Sequence, residues 1–283
     1  MDILLTNPFG RTGELVAESL RADGHKVDIM EGPNAHKHEG AYMKALRTRM
    51  LEQLADMIIP VFFPEVLAAH REEFPLTLMP IDKLETLTLL DDKLSCCRLA
   101  GSLGIPQPEM YSGADEVKSF PVVFKRPRGH GGDSVYFPGN SKALANILKP
   151  AKDYILSEYI DGEDWCTDVL RWDGFFYAAS YRVLEPKRKG VSTLRESVIA
   201  PQLAEYARTI LDAVDYQGVC GLDFRRRSSD GKFFFLECNP RFSGGLASAL
   251  ASGFDIPALL CRMASGESVN PSLIQFTPNI ITS

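Results

Sequence analysis

The sequence predicts an α/β protein whose C-terminal part is better described as α+β. Three observations carry this. The first ninety residues alternate apolar β-type runs with helical patterns, the βαβα rhythm of a small parallel sheet covered by helices. Further on, two strand-like runs flank a Ser228-Ser-Asp-Gly-Lys232 turn and read as an antiparallel hairpin. The composition of the 283 residues, 45% hydrophobic and 24% charged, is that of an ordinary globular chain.

The elements follow in order. Ile3-Leu-Leu5 reads as a strand, 13–22 as a helix, Lys26-Val-Asp-Ile-Met30 as a strand, 42–54 as a helix, 57–63 as a strand, 64–73 as a helix and Leu76-Thr-Leu-Met79 as a further strand. A helical pattern over 82–103 breaks near Leu90-Asp-Asp92 and stops at Gly104-Ile-Pro-Gln-Pro108, where glycine and two prolines oppose helix continuation. A domain boundary is expected at 90–105. Short strands at 122–125 and 135–137, a helix at 142–148 and a strand at 154–160 precede a longer mixture of strands and helices that ends in a helix over 258–263.

Charge and cysteine usage exclude several classes. Thirty-one basic against thirty-seven acidic residues leave a net charge of −6, so a broad electrostatic footprint for nucleic acid is not expected. The six cysteines form no CxxC pair and no metal-ligand spacing with the five histidines, and Met1-Asp-Ile lacks a basic n-region, so a reducing cytoplasm is expected. The longest apolar runs are far below the ~20 residues that cross a bilayer.

Phe233-Phe-Phe-Leu-Glu237-Cys-Asn239-Pro-Arg241 is the most informative stretch. Alternation along a strand sends Glu237, Asn239 and Arg241 to one face and Cys238 to the other. The hairpin turn brings a second carboxylate, Asp223, beside Glu237. Hard oxygen donors of this kind suit magnesium, which fills its remaining positions with water and phosphate oxygens. Upstream, Val122-Val-Phe-Lys125 delivers a lysine into the glycine-rich loop Gly129-His-Gly-Gly-Asp-Ser134, where backbone N–H groups can close over phosphate oxygens. This is not a Walker A loop, since Gly231-Lys232 is followed by Phe233. The turn Asn7–Gly13 offers backbone amides to an anion but lacks the G-x-G-x-x-G spacing.

The order of these pieces, a strand lysine with a glycine loop, then Glu158-Tyr-Ile-Asp-Gly-Glu-Asp164, then Gly221-Leu-Asp223-Phe and Leu236-Glu-Cys-Asn-Pro-Arg241, resembles the ATP-grasp superfamily. Within it, the chain is most similar to the carbamoyl-phosphate-synthetase-like ATP-dependent carboxylate–amine ligases. The resemblance implies a Rossmann-like pre-ATP-grasp domain over 1–90 and a two-subdomain ATP-grasp module over 91–283. The lid subdomain would span about 105–163 and the metal and substrate subdomain about 164–283.

The same resemblance implies the site. Lys93 and Lys125 would bind phosphate, with Gly129, Gly131, Gly132 and Ser134 in the lid loop. The family's lid reads G-x-G-S-x-G, and glycine and serine are exchanged here. Glu158 and the backbone of Tyr159 and Ile160 would read the adenine, Leu236 would pack beneath it, and Asp164 or Glu163 would hold ribose hydroxyls. Asp223, Glu237 and Asn239 would ligate two magnesium ions, for which manganese can substitute, and Arg241 would sit over the transferring phosphoryl group. Arg182 occupies a region where relatives carry a basic phosphate contact.

The expected activity is activation of a small-molecule carboxylate as an acyl phosphate by ATP, then coupling to an amine; the alternatives are an ATP-grasp kinase, an enzyme that stops at the acyl phosphate, or a nucleotide-binding regulatory subunit without turnover. The chain is expected not to engage membrane or nucleic acid and is compatible with a homodimer. Substrate choice is expected in the N-terminal unit and the segment 185–197. His130, His36, His38, the run Pro186-Lys-Arg-Lys-Gly190 and Arg225-Arg-Arg227 are read as surface residues, with a phosphate contact the alternative for His130 and an anionic-substrate lid the alternative for the run at 186–190.

Overall fold

Residues 1–129, 135–149, 153–185 and 194–282 are described by the structure, a computed structural model. Strands β1 (Asp2–Thr6), β2 (Lys26–Met30) and β3 (Met57–Pro60) alternate with helices α1 (Gly10–Ala22), α2 (Glu39–Glu52) and α3 (Pro64–Ala69). They form a parallel sheet in the order β2-β1-β3, as the βαβα rhythm predicts. The expected strand at 76–79 does not extend this sheet; it contributes a single bridge, Met57 to Leu78. Pro75 and Pro80 bracket the segment and withhold ladder donors.

Helices α4 (Leu84–Asp91) and α5 (Lys93–Ser102) meet at Asp92, where the sequence pattern breaks. Asp92 ends one helix and caps the next, its carboxylate accepting from the Ser95 amide at 2.9 Å. A four-stranded sheet follows, made of β4 (Met110–Tyr111), β5 (Val122–Lys125), β6 (Val135–Tyr136) and, after helix α6 (Ser141–Leu148), β7 (Ile155–Glu158), in the order β4-β7-β5-β6. Its core is small: Tyr111, Val122 and Leu156 pack on Leu144 of α6.

The third sheet contains β8 (Gly162–Trp172), β9 (Phe175–Val183), β10 (Arg195–Val198) and, after α7 (Pro201–Asp212), β11 (Gly218–Arg227) and β12 (Phe233–Asn239). Helices α8 (Leu246–Ala251) and α9 (Ile256–Ala264) then lead to the edge strand β13 (Ile281–Thr282), completing the order β12-β11-β8-β9-β10-β13.

Alternation along β8 explains how this sheet is covered on both faces. Trp165 and Val169 join α4, α5 and α7 in one apolar cluster, whereas Cys166 and Leu170 join Leu246 and Leu260 in another. The second cluster also takes in Ile3, Leu5, Val16, Leu20 and Ile59 of the parallel sheet and its helix α1. Apolar contact therefore continues from the N-terminal sheet into the C-terminal helices. Asp255 reinforces it by capping α9 and accepting the Ser19 hydroxyl at 2.5 Å. No described helix is long and apolar enough to cross a membrane.

Candidate active site

A cavity of about 890 Å³ opens between the four-stranded and six-stranded sheets, with the β1–α1 and β3–α3 turns at one end. That size suits a nucleotide-sized ligand with a second small molecule. Its centre is the β11–β12 hairpin, where Asp223 lies directly opposite Glu237 in register. The register then skips from Glu237 to Phe235, leaving Leu236 as the extra residue of a β-bulge. Such a bulge re-aims side chains, and Leu236, Glu237, Asn239 and Arg241 all line the cavity. Cys238 stays on the opposite, buried face, as alternation predicts.

The bulge also frees a carbonyl. Leu236 O accepts from Lys125 Nζ at 3.2 Å and lies 3.4 Å from Cys97 Sγ. Lys93, at the first turn of α5, donates to Gly129 O at 2.8 Å and reaches to 3.5 Å from Glu237 Oε2. Two lysines from different elements thus converge on the carboxylate hairpin. Arg241 donates to Asn239 Oδ1 and to Phe242 O, both at 3.0 Å, and its guanidinium stacks 5.2 Å from the Phe62 ring centroid. Burial lowers its pKa, and Asp91, Glu237, Asp223 and Glu65 oppose that shift.

The donor set fits a hard divalent cation. Among the described residues no group of three His, Cys, Asp or Glu side chains is poised to enclose a metal. The hairpin instead offers two carboxylates and the Asn239 amide oxygen, an open arrangement suited to an ion that keeps water and phosphate ligands.

The other end of the cavity is framed by Glu158, Tyr159, Ile160 and Asp164, all in its lining. Arg225 ties them together, donating to Ile160 O at 2.7 Å, Asp164 Oδ1 at 2.8 Å and Tyr159 Oη at 3.1 Å. Arg225 lines the cavity and is not the solvated hairpin residue expected from its Arg-Arg-Arg run. Glu163 does not line the cavity; it lies one position along β8 from Asp164 and accepts from Trp165 Nε1 on the other face. Arg182 is also outside the lining, engaged by Glu196 at 2.7 Å. Gly129 lines the cavity, whereas Gly131, Gly132, Ser134 and His130 lie outside the described residues, as does the basic run at 186–190.

Two lining residues escaped the sequence reading. Asp168 and Arg195 are both more than nine-tenths buried. Among the described residues the Asp168 carboxylate has Ser243 as its neighbouring hydroxyl, and Nε and Nη1 of Arg195 have no hydrogen-bond partner. Burial pushes Asp168 up to about 6, against the pull of Arg195 and of the neighbouring Ser243 hydroxyl. Period-two alternation from Asp164 through Cys166 does mark Asp168 as facing the cavity. Arg195 falls in the segment expected to govern substrate choice, but no motif singles it out.

A family model described as "ATP-grasp in the biosynthetic pathway with Ter operon" matches residues 150–280. Over those residues the chain is similar to ATP-grasp proteins, and its resemblance to carbamoyl-phosphate-synthase-like ligases is carried by a curated relative as well as by motif. The N-terminal section of the carbamoyl phosphate synthase large chain of Methanopyrus kandleri is 24% identical over 91% of this chain and 54% of its own length. The chain thus spans about half the length of that relative.

Among solved structures, the biotin carboxylase of Campylobacter jejuni in complex with β,γ-ATP superposes with a TM-score of 0.80 at 18% identity, covering 99% of this chain and 74% of that one. The biotin carboxylase domain dimer of Hydrogenobacter thermophilus 2-oxoglutarate carboxylase, bound to MgADP, ADP and bicarbonate, does so with the same score and identity, covering 99% and 73%. At these identities the likeness is one of fold.

Proposed function

We propose that this chain is an ATP-dependent carboxylate–amine ligase. It activates a small-molecule carboxylate as an acyl phosphate and couples it to an amine, releasing ADP and phosphate. The observation that carries the reading is the convergence of Asp223, Glu237, Asn239, Arg241, Lys93 and Lys125 on one cavity. A binder that does not turn over has no need of two opposed carboxylates, two lysines and a half-buried arginine.

In this reading residues 1–90 form a Rossmann-like pre-ATP-grasp domain. Residues 91–283 form the ATP-grasp module, with its lid over about 105–163 and its metal and substrate part over about 164–283. Support comes from the parallel β2-β1-β3 sheet and from the separate four- and six-stranded sheets.

Glu158 and the backbone of Tyr159 and Ile160 receive the adenine, Leu236 packs beneath it, and Asp164, oriented by Arg225, takes the ribose hydroxyls. Glu163 faces Trp165 and is the weaker ribose candidate. Asp223, Glu237 and Asn239 hold magnesium or manganese, two ions in the full complex, which neutralises charge on the phosphates. Lys93 and Lys125 hold phosphate oxygens, together with the loop of Gly129, Gly131, Gly132 and Ser134. Arg241 stabilises the phosphoryl group in flight to the carboxylate oxygen. Arg195 is better placed than Arg182 to meet a substrate anion, because it lines the cavity. A homodimer and a cytoplasmic setting are compatible with this assignment.

The test follows an oxygen atom. If an acyl phosphate forms and the amine displaces phosphate, one oxygen of an 18O-labelled carboxylate appears in inorganic phosphate. ADP formation with no label in phosphate rejects ligation and favours transfer to a hydroxyl.

A further inference from the structure

Three aromatic side chains form a shelf where the β1–α1 and β3–α3 turns border the cavity. Phe9 lies in the β1–α1 turn, and Phe62 and Phe63 follow β3; all three line the cavity. The Phe9 and Phe62 rings stack at 6.2 Å with planes 28° apart, and Phe63 meets Phe9 edge-on at 6.3 Å. His36 also stacks on Phe63, at 5.4 Å between ring centroids. Phe63 adopts φ 59 and ψ 49, a left-handed conformation that is an outlier for a bulky residue and that strained functional turns tolerate.

Phe9 remains 41% exposed although a cavity lies beside it. Exposed aromatic surface grouped inside a cleft marks a binding surface more often than solitary exposed residues do. The shelf also has a position. Phe62 packs on Arg241, beyond the Asn239 end of the β11–β12 pairing, whereas Asp164 pairs with Arg225 on the other side of Asp223, so the base as assigned above lies away from the shelf. Cationic groups lie alongside it: Arg241 on the shelf and Arg195 in the same cavity.

We propose that the carboxylate substrate carries a phenyl-sized aromatic group, which packs on Phe9 and Phe62 while its carboxylate is directed to Arg241. This deepens the ligase reading and rests on it. The aromatic face supplies apolar contact, and the edge-to-face or offset geometry of ring pairs supplies selectivity for a flat group over an alkyl chain. A substrate as small and polar as bicarbonate would leave the shelf uncovered.

The experiment compares 3-phenylpropionate with propionate, by ligand-observed NMR with ADP and magnesium present and by hydroxylamine trapping with ATP and magnesium. Phenylpropionate is expected to bind at least about tenfold more tightly. Phe9→Ala and the milder Phe9→Leu should reduce that preference, Ala toward equality, with thermal unfolding showing that both variants fold. Equal binding of the two acids, or a preference unchanged in both variants, overturns the inference. Hydroxamate formed from propionate would then leave the ligase reading intact. Conversely, phenylpropionate binding that depends on Phe9, without hydroxamate from either acid, supports the shelf and counts against the ligase reading.

Discussion

Asp223 and Glu237 stand opposite one another in the β11–β12 register, and the bulge at Leu236 lets the backbone between the two strands answer Lys125. One local irregularity thus links the carboxylate pair, the cavity-lining Leu236 and a lysine from a different sheet. The proposed chemistry depends on that junction.

Glu237→Gln keeps shape but removes a charge from the pair. Magnesium-dependent ADP release is expected to fall by roughly 100-fold or more, with thermal unfolding little changed. Asp223→Asn should act in the same direction, and the magnesium concentration giving half-maximal rate should rise in any residual activity.

Lys125→Met retains the apolar stem and deletes the ammonium that contacts Leu236 O. ATP affinity is expected to drop by roughly tenfold through loss of a phosphate-directed charge. Isothermal titration with ATP and magnesium reads this directly, and unchanged affinity would remove Lys125 from the phosphate set.

Gly245 has no room for a methyl group: a Cβ there would come within 1.5 Å of Arg195 Nη1. Gly245→Ala should therefore displace the Arg195 guanidinium and raise the KM for the carboxylate more than that for ATP. Gly162→Ala makes a contrasting control, since its Cβ would meet the Arg226 backbone oxygen at 1.9 Å and push β8 away from β11. That change should cost about 1–3 kcal/mol of stability, measured by denaturant unfolding.

Glu65 gives a pH signature. Burial pushes its carboxyl up to about 7 from an ordinary 4.5, with Asp91 adding to the rise and Arg241 opposing it. A raised folded pKa means that the unfolded chain releases this proton first. Stability from this group is present below pH 4.5 and declines as pH rises through 7. Glu65→Gln should flatten that decline, gaining on the order of 1–2 kcal/mol at pH 8 and nothing at pH 4. Parallel unfolding curves for variant and parent at both pH values would contradict it.

Much of this architecture was legible because the determining signals are local. The βαβα alternation specified the parallel sheet, and Asp92 marked the junction of α4 and α5 because its side chain caps the second helix. The Ser228–Lys232 turn fixed the pairing of Asp223 with Glu237. Other features depended on neighbours distant in sequence. Leu236 faces the cavity only because of the bulge, which strict alternation does not foresee. Arg225 sits in a basic run that reads as solvated until Ile160, Asp164 and Tyr159 fold over it. Arg195 is surrounded by no motif, and its burial results from β10 joining β9 near Gly245. Arg182 drew attention by position along the chain, yet Glu196, opposite it on β10, engages its guanidinium.

The most direct measurement of the central claim combines ATP, magnesium, hydroxylamine and a pool of small carboxylic acids, and quantifies ADP and hydroxamate for the parent protein and Glu237→Gln. The account predicts that both products form together in the parent and that both nearly vanish in the variant. ADP without hydroxamate from any acid, or hydroxamate that persists at parental rates in Glu237→Gln, would contradict it.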